Sequence, residues 1–261
     1  MLTDTGANLA DASFDHDRDA VLQRAADAGV SRLVITGSSI ASNDAARALA
    51  QGHEHLGYTA GVHPHHAKDF DAAAAEQLRT QMAQPGISAA GECGLDYFRN
   101  LSDPRDQANA FAAQLDLAIE FELPVFLHQR DAHDDFMAIL KPRLGSLPRA
   151  VAHCFTAGER ELDDYLAHDL YIGITGWICD ERRGLHLRDL VKRIPGDRLM
   201  IESDAPYLTP RTLRPRPKTR RNEPCWLTET ARVVAESREQ SIDTLARETN
   251  QSATAFFNWS A

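Results

Sequence analysis

Two histidines close short apolar runs: His128 ends PVFLH and His153 ends AVAH. Glu92 follows a third run in GECGLD, and Asp204 follows a fourth in MIESDAPYL. Taken singly, each has a plain structural explanation: a hydrogen-bonded strand-end imidazole, a salt-bridged or capping glutamate, an aspartate turning the chain before Pro206. Together they form a carboxylate-and-imidazole set of the kind that holds a divalent cation. Asp204 could join that set as a ligand or take a proton from water. From the HPHH run at 63–66 only His63 is carried forward, with His65 a weaker candidate. His16, His53, His55, His133, His168 and His186 are expected on helices or loops without a catalytic part. No GxSxG, P-loop or GxGxxG sequence offers a competing chemistry.

For these residues to converge they must stand at the same ends of parallel strands. Eight apolar or β-rich runs recur, each followed by a helix-like stretch. They lie near Leu2–Asn8, Arg32–Gly37, Gly57–His63, Ile87–Gly91, Val125–His128, Ala150–His153, Tyr171–Thr175 and Leu199–Glu202. Neighbouring parallel strands are about 4.8 Å apart, so imidazoles at equivalent ends can share one ion. The helices between carry their own punctuation. Ser42 is read as an N-cap of a helix stopped by Gly52, and Asp103 and Pro104 open a helix with the stripe Phe111, Leu115, Ala118 and Ile119. Asn8, His63, Glu92, His128, His153 and Asp204 fall at or just after strand C-termini, where a (β/α)₈ barrel places its active site. An open doubly wound sheet is the alternative, but it would not easily bring the first and last strands to one point. The 261 residues suit one barrel domain, 1–261, of the usual ~250-residue size, with a helix near Leu227–Ala235 and a helical tail at about 240–261.

Cys93, Cys154, Cys179 and Cys225 form no CxxC pair, which argues against a zinc knuckle or a secreted disulfide framework and for a reducing cytoplasm. The opening MLTDTGANLADASFD lacks the basic and apolar regions of a signal peptide, and no run is long enough to span a membrane. A monomer is expected, since no exposed apolar helix stands out. The net charge of −10 argues, as a bulk property, against a polyanionic partner. Six of the eleven residues in RTLRPRPKTRR, Arg211 to Arg221, are basic, however, and a local patch can grip phosphates.

TAGVHPH, GECGLD, HQRDAH, AHCFTAG, YIGITGW, CDERRG, ESDAPYL and RRNEP, in this order, resemble the TatD family of metal-dependent deoxyribonucleases. The resemblance implies an amidohydrolase-like barrel and a Mg²⁺-dependent cytoplasmic 3′-5′ exonuclease acting on single-stranded DNA or RNA, in DNA repair or nucleic-acid turnover. It also implies that Glu92, His128 and His153 bind the metal and that Asp204 is the catalytic aspartate. There is one departure. Much of the family opens with an HxH pair on the first strand, whereas DTGANL puts Gly6 and Asn8 at those positions. One firm metal position is therefore expected, and a second that is open.

On this reading one Mg²⁺, with Mn²⁺ or Zn²⁺ as alternatives, polarises a phosphodiester oxygen and acidifies an attacking water. Glu92 and Asp204 are the catalytic pair, and both are counted among the metal ligands with His128 and His153. His63 and Arg130 are candidates for the scissile phosphate, and Arg220 and Arg221 for the strand beyond it. The imidazole-rich donors alone suit Zn²⁺ as well as Mg²⁺. Two other functions stay open: a small-molecule amide or ester hydrolase on the same barrel, because fold does not settle substrate, and a non-catalytic nucleic-acid-binding relic. Neutralising Arg220 and Arg221 discriminates the first, and binding without turnover the second.

Overall fold

The computed structural model describes residues 1–259. Strands and helices alternate as β1 (Leu2–Ala7), α1 (Arg18–Asp27), β2 (Val30–Ile35), α2 (Ile40–Ala50), β3 (Leu56–Ala60), α3 (Ala72–Met82), β4 (Ile87–Asp96) and α4 (Pro104–Glu120). They continue as β5 (Val125–Arg130), α5 (His133–Leu140), β6 (Ala150–Ala152), α6 (Glu159–Ala167), β7 (Tyr171–Ile174), α7 (Leu185–Leu190), β8 (Leu199–Ile201), α8 (Leu227–Ser237) and α9 (Ile242–Phe257). The strands pair in parallel in sequence order, which is the (β/α)₈ barrel.

All eight expected strands are present, with two ending later than expected. β4 runs through Glu92 to Asp96 instead of stopping at Gly91. After a bulge between Gly91 and Cys93 its backbone resumes pairing with β5, Gly94 with His128 and Asp96 with Arg130. A Cβ on Gly94 would run into the His128 carbonyl, so glycine is what lets the two backbones lie this close. α2 starts earlier than expected: Ser39 is its N-cap, and Ser42 completes a capping box by accepting the Ser39 N–H. α9 falls within the expected helical tail, of which Ser260 and Ala261 lie outside the described residues.

Val34, Ala89, Phe126, Val151, Tyr171 and Met200 fill the barrel interior, and Ala253, Phe256 and Phe257 of α9 pack beneath them as a plug. The seam between β1 and β8 is closed by side-chain and backbone bonds together. Thr5 Oγ1 donates to the Ile201 carbonyl (3.1 Å), and Asp4 Oδ1 accepts the Ser203 N–H (2.8 Å). Beyond it the Asp204 N–H donates to the Gly6 carbonyl (2.8 Å). Asp4 is fully buried, its Oδ2 has no hydrogen-bond partner, and burial pushes its carboxyl up to about 7.

Phe256→Ala should cost about 3–5 kcal/mol, read as a lower urea midpoint at unchanged slope. Asp4 gives a pH-dependent case. Its folded carboxyl keeps a proton that the unfolded chain, at 3.8, has already released, so stability falls as pH rises from 3.8 toward 7. Asp4→Asn keeps the Oδ1 acceptor without the charge. It should raise Tm by roughly 2–4 °C or more in mildly alkaline buffer and change it little in buffer near the unfolded pKa. An equal shift in both buffers would show that charge is not the cause.

Candidate active site

Glu92 is the bulged residue of β4 and projects into the barrel mouth. Its Oε1 lies 2.9 Å from His128 Nδ1, 3.4 Å from His63 Nε2 and 3.6 Å from His153 Nε2. Burial opposes its charge, but the His63, His153 and His128 imidazoles together hold its carboxyl well below the usual range. Further along β4, Asp96 Oδ2 lies 2.7 Å from His65 Nε2 and 3.4 Å from His128 Nε2. Burial opposes this charge too, and His128, His65 and the Arg99 N–H again hold the carboxyl low.

The imidazoles differ in what occupies Nδ1. His153 Nδ1 lies 2.6 Å from Glu202 Oε2, and the other Glu202 oxygen accepts the Cys154 N–H at 2.6 Å. Such a carboxylate fixes the proton on Nδ1 and leaves the Nε2 lone pair facing Glu92. His63 is the reverse. As N-cap of the 3₁₀ turn Pro64–Asp69, its Nδ1 accepts the His65 N–H at 3.1 Å. Burial pushes its pKa down to about 3, so the ring is neutral and carries its proton on Nε2. A donor in that position suits an anionic oxygen and does not suit a cation.

Ligand-capable atoms of His63, Glu92 and His128 lie within 4.8 Å of one another, as do those of His153, Cys154 and Asp204. Donors sharing one ion at ~2.1 Å stand roughly 3.0–3.5 Å apart, close to the spacings from Glu92 to His128 and His153. The other His128 nitrogen, Nε2 on the Asp96 side of the ring, is buried with no hydrogen-bond partner, a cost that a ligand between His128 and Asp96 would remove. Although burial opposes charge on His153, Glu202 and Glu92 raise its pKa to about 10, which shows how strongly the site attracts positive charge. Cys154 is a poor ligand, because burial and the Asp204 and Glu202 carboxylates push its thiol far up. These residues fit a divalent cation.

Asp204 Oδ1 lies 3.9 Å from His153 Nε2 and accepts from Asn8 Nδ2 at 3.0 Å. Burial pushes its carboxyl up to about 7, with Glu92 and Glu202 adding to the effect and His153 and Asn8 opposing it. Asn8 thus orients the aspartate. A Cβ at Gly6 would stand 2.7 Å from Glu202 Oε2 and 2.9 Å from the Phe126 ring, so Glu202 takes the space a first-strand histidine would need.

The arginines separate. Arg130 places its guanidinium 4.0 Å from the Phe98 ring and 5.5 Å from Trp177. Arg220 is exposed. Arg221 departs from expectation: it bonds Asp17 (2.8 and 2.7 Å), Glu223 (3.0 Å) and the Ser13 carbonyl (2.6 Å). Its charge is paired and its donors are used, so it fastens the loop and is not free for phosphate. Sequence reasoning missed Asp96 and Glu202 as members of this site. Their signal was an even spacing, Asp96 four residues beyond Glu92 and Glu202 two before Asp204.

Residues 3–258 match the family model for TatD related DNases. The chain is 51% identical over 257 residues to the 3′-5′ ssDNA/RNA exonuclease TatD of Erwinia billingiae, across 97% of this chain and 98% of that one. It is 52% identical over 255 residues to the same-named protein of Erwinia amylovora, across 97% and 98%. Among solved structures it is similar to YJJV, a TatD homolog from Escherichia coli K12, with TM-score 0.89 and 28% identity over 99% of this chain and 98% of that one. A TatD family hydrolase from Entamoeba histolytica matches with TM-score 0.89 and 25% identity over 98% and 97%. By its barrel, its carboxylate–imidazole mouth and a match over nearly its whole length, the chain belongs to the TatD-related DNase family.

Proposed function

We propose that this chain is a metal-dependent 3′-5′ exonuclease that hydrolyses phosphodiester bonds of single-stranded DNA and RNA. The observation that carries this is identity of 51–52%, over nearly the full length, to proteins named 3′-5′ ssDNA/RNA exonuclease TatD. Glu92, His128 and His153 would hold Mg²⁺, with Asp204 beside them, and Mn²⁺ or Zn²⁺ suits the same donors. A divalent ion bound there supplies Lewis-acid polarisation of the phosphodiester and a lowered pKa for water. A second ion finds no imidazole at Gly6 or Asn8. The four cysteines are unpaired, which supports action in the cytoplasm.

The chain's own residues do the rest. Glu202 keeps the His153 proton on Nδ1. Asp204, oriented by Asn8 and with its carboxyl near neutrality, accepts a proton from the attacking water. Glu92 anchors the three rings around it. His63 donates Nε2–H to a non-bridging oxygen of the scissile phosphate, and Arg130 supplies fixed positive charge at the rim.

A 5′-labelled single-stranded oligonucleotide should be shortened from its 3′ end in Mg²⁺, stop when chelator is added, and be cut about 10²–10⁴-fold more slowly by Asp204→Asn. Shortening from the 5′ end, or activity indifferent to chelator, would overturn the assignment. Glu202→Gln should weaken Mn²⁺ binding about 10–100-fold in titration calorimetry. Unchanged affinity would remove Glu202 from the support of His153.

A further inference from the structure

Six large apolar side chains are exposed among the described residues. Four of them, Phe98, Leu101, Leu185 and Tyr207, stand on segments that follow β4, β7 and β8 at the barrel mouth. Apolar surface gathered beside a polar cleft marks a face that something covers. The chemistry of this face indicates what. Phe98 is 56% exposed, with the Arg130 guanidinium 4.0 Å from its ring. Arg130 also reaches the Trp177 ring at 5.5 Å, and the Arg183 guanidinium lies 4.2 Å from the same ring. Arg183 is paired with Asp180 (2.8 Å), whereas Arg130 forms no ion pair among the described residues. The result is a row of rings and guanidinium planes across the mouth, with one uncompensated cation in it.

A nucleic-acid strand offers the complement of such a row. Every base has a π-face that stacks on an aromatic ring, and every nucleotide brings a phosphate for a guanidinium. The row is also continuous with the hydrolytic cluster, since Arg130 is two residues beyond His128 on β5 and Phe98 two beyond Asp96. We infer that Phe98, Arg130 and Trp177 form a stacking platform for bases upstream of the bond being cut. The inference rests on the exonuclease reading: with the 3′-terminal nucleotide at Glu92, the remaining strand leaves across this rim. The platform selects single strands by chemistry, because in a duplex the base faces are already stacked on one another and unavailable.

The test separates binding from hydrolysis. With EDTA present to stop turnover, Phe98→Ala should bind a fluorescent oligothymidylate of about ten nucleotides roughly tenfold more weakly, and Phe98→Trp should restore affinity. Phe98 is exposed, so the variant keeps its fold, which circular dichroism checks. In Mg²⁺, Phe98→Ala should raise KM on the oligonucleotide by a similar factor while retaining kcat/KM on bis(p-nitrophenyl) phosphate, a diester too small to span the rim. Equal affinity of the wild type and a Phe98→Ala, Trp177→Ala double variant overturns the platform, as does an equal loss on the small diester. So does a wild-type dimer in sedimentation that Phe98→Ala dissociates, since the rim would then be a contact between copies. Wild-type protein that binds the strand tightly in EDTA yet cleaves no diester with any divalent metal overturns the exonuclease reading instead, and the binding data still decide the platform.

Discussion

Carboxylates taken out of water at the mouth of the barrel set the terms that the surrounding structure meets. Glu92, Asp96 and Glu202 are buried, and Asp204 nearly so. An uncompensated buried charge costs several kcal/mol, so each of these oxygens needs a partner of opposite polarity. Imidazoles from three strand ends face Glu92, the Cys154 N–H and His153 face Glu202, and Asn8 faces Asp204. Local backbone irregularities follow from the same demand. The β4 bulge turns Glu92 inward, and Gly6 leaves room for the Glu202 side chain to cross the barrel.

How each charge is compensated divides the labour among residues of one type. His153 and His63 both point Nε2 at Glu92, yet a carboxylate on one Nδ1 and a backbone N–H on the other give opposite polarity at the working nitrogen. One ring is prepared to give a lone pair and the other to give a proton. The pairing of a cation site with an anion-facing donor is thus made by the partners behind the rings, and the rings alone do not distinguish them.

The strands were legible because each is a short apolar run followed by helical punctuation, and Glu92, His128, His153 and Asp204 were legible because they end such runs. The extension of β4 was not, since glycine and polar residues carry no alternation and the pairing that sustains them belongs to β5. The basic run from Arg211 to Arg221 was legible as charge but not as availability. Arg211 pairs with Glu181 and Arg221 with Asp17, the latter 204 residues away, and no local pattern reveals a partner at that distance. Glu202 escaped notice for a related reason: at the end of a buried strand its role depends on a ring that another strand delivers.

The seam between β1 and β8, closed by side-chain and backbone bonds together, also decides when the mouth is complete. Its side-chain bonds join residues 196 and 199 positions apart, and closing so long a loop is entropically among the late gains of folding. The Asn8 bond to Asp204 crosses the same seam. Asp204 is therefore held in place by the closing event itself. Until the first and last strands meet, the bond that orients Asp204 does not exist, so this corner of the mouth is a product of closure and not of any local segment.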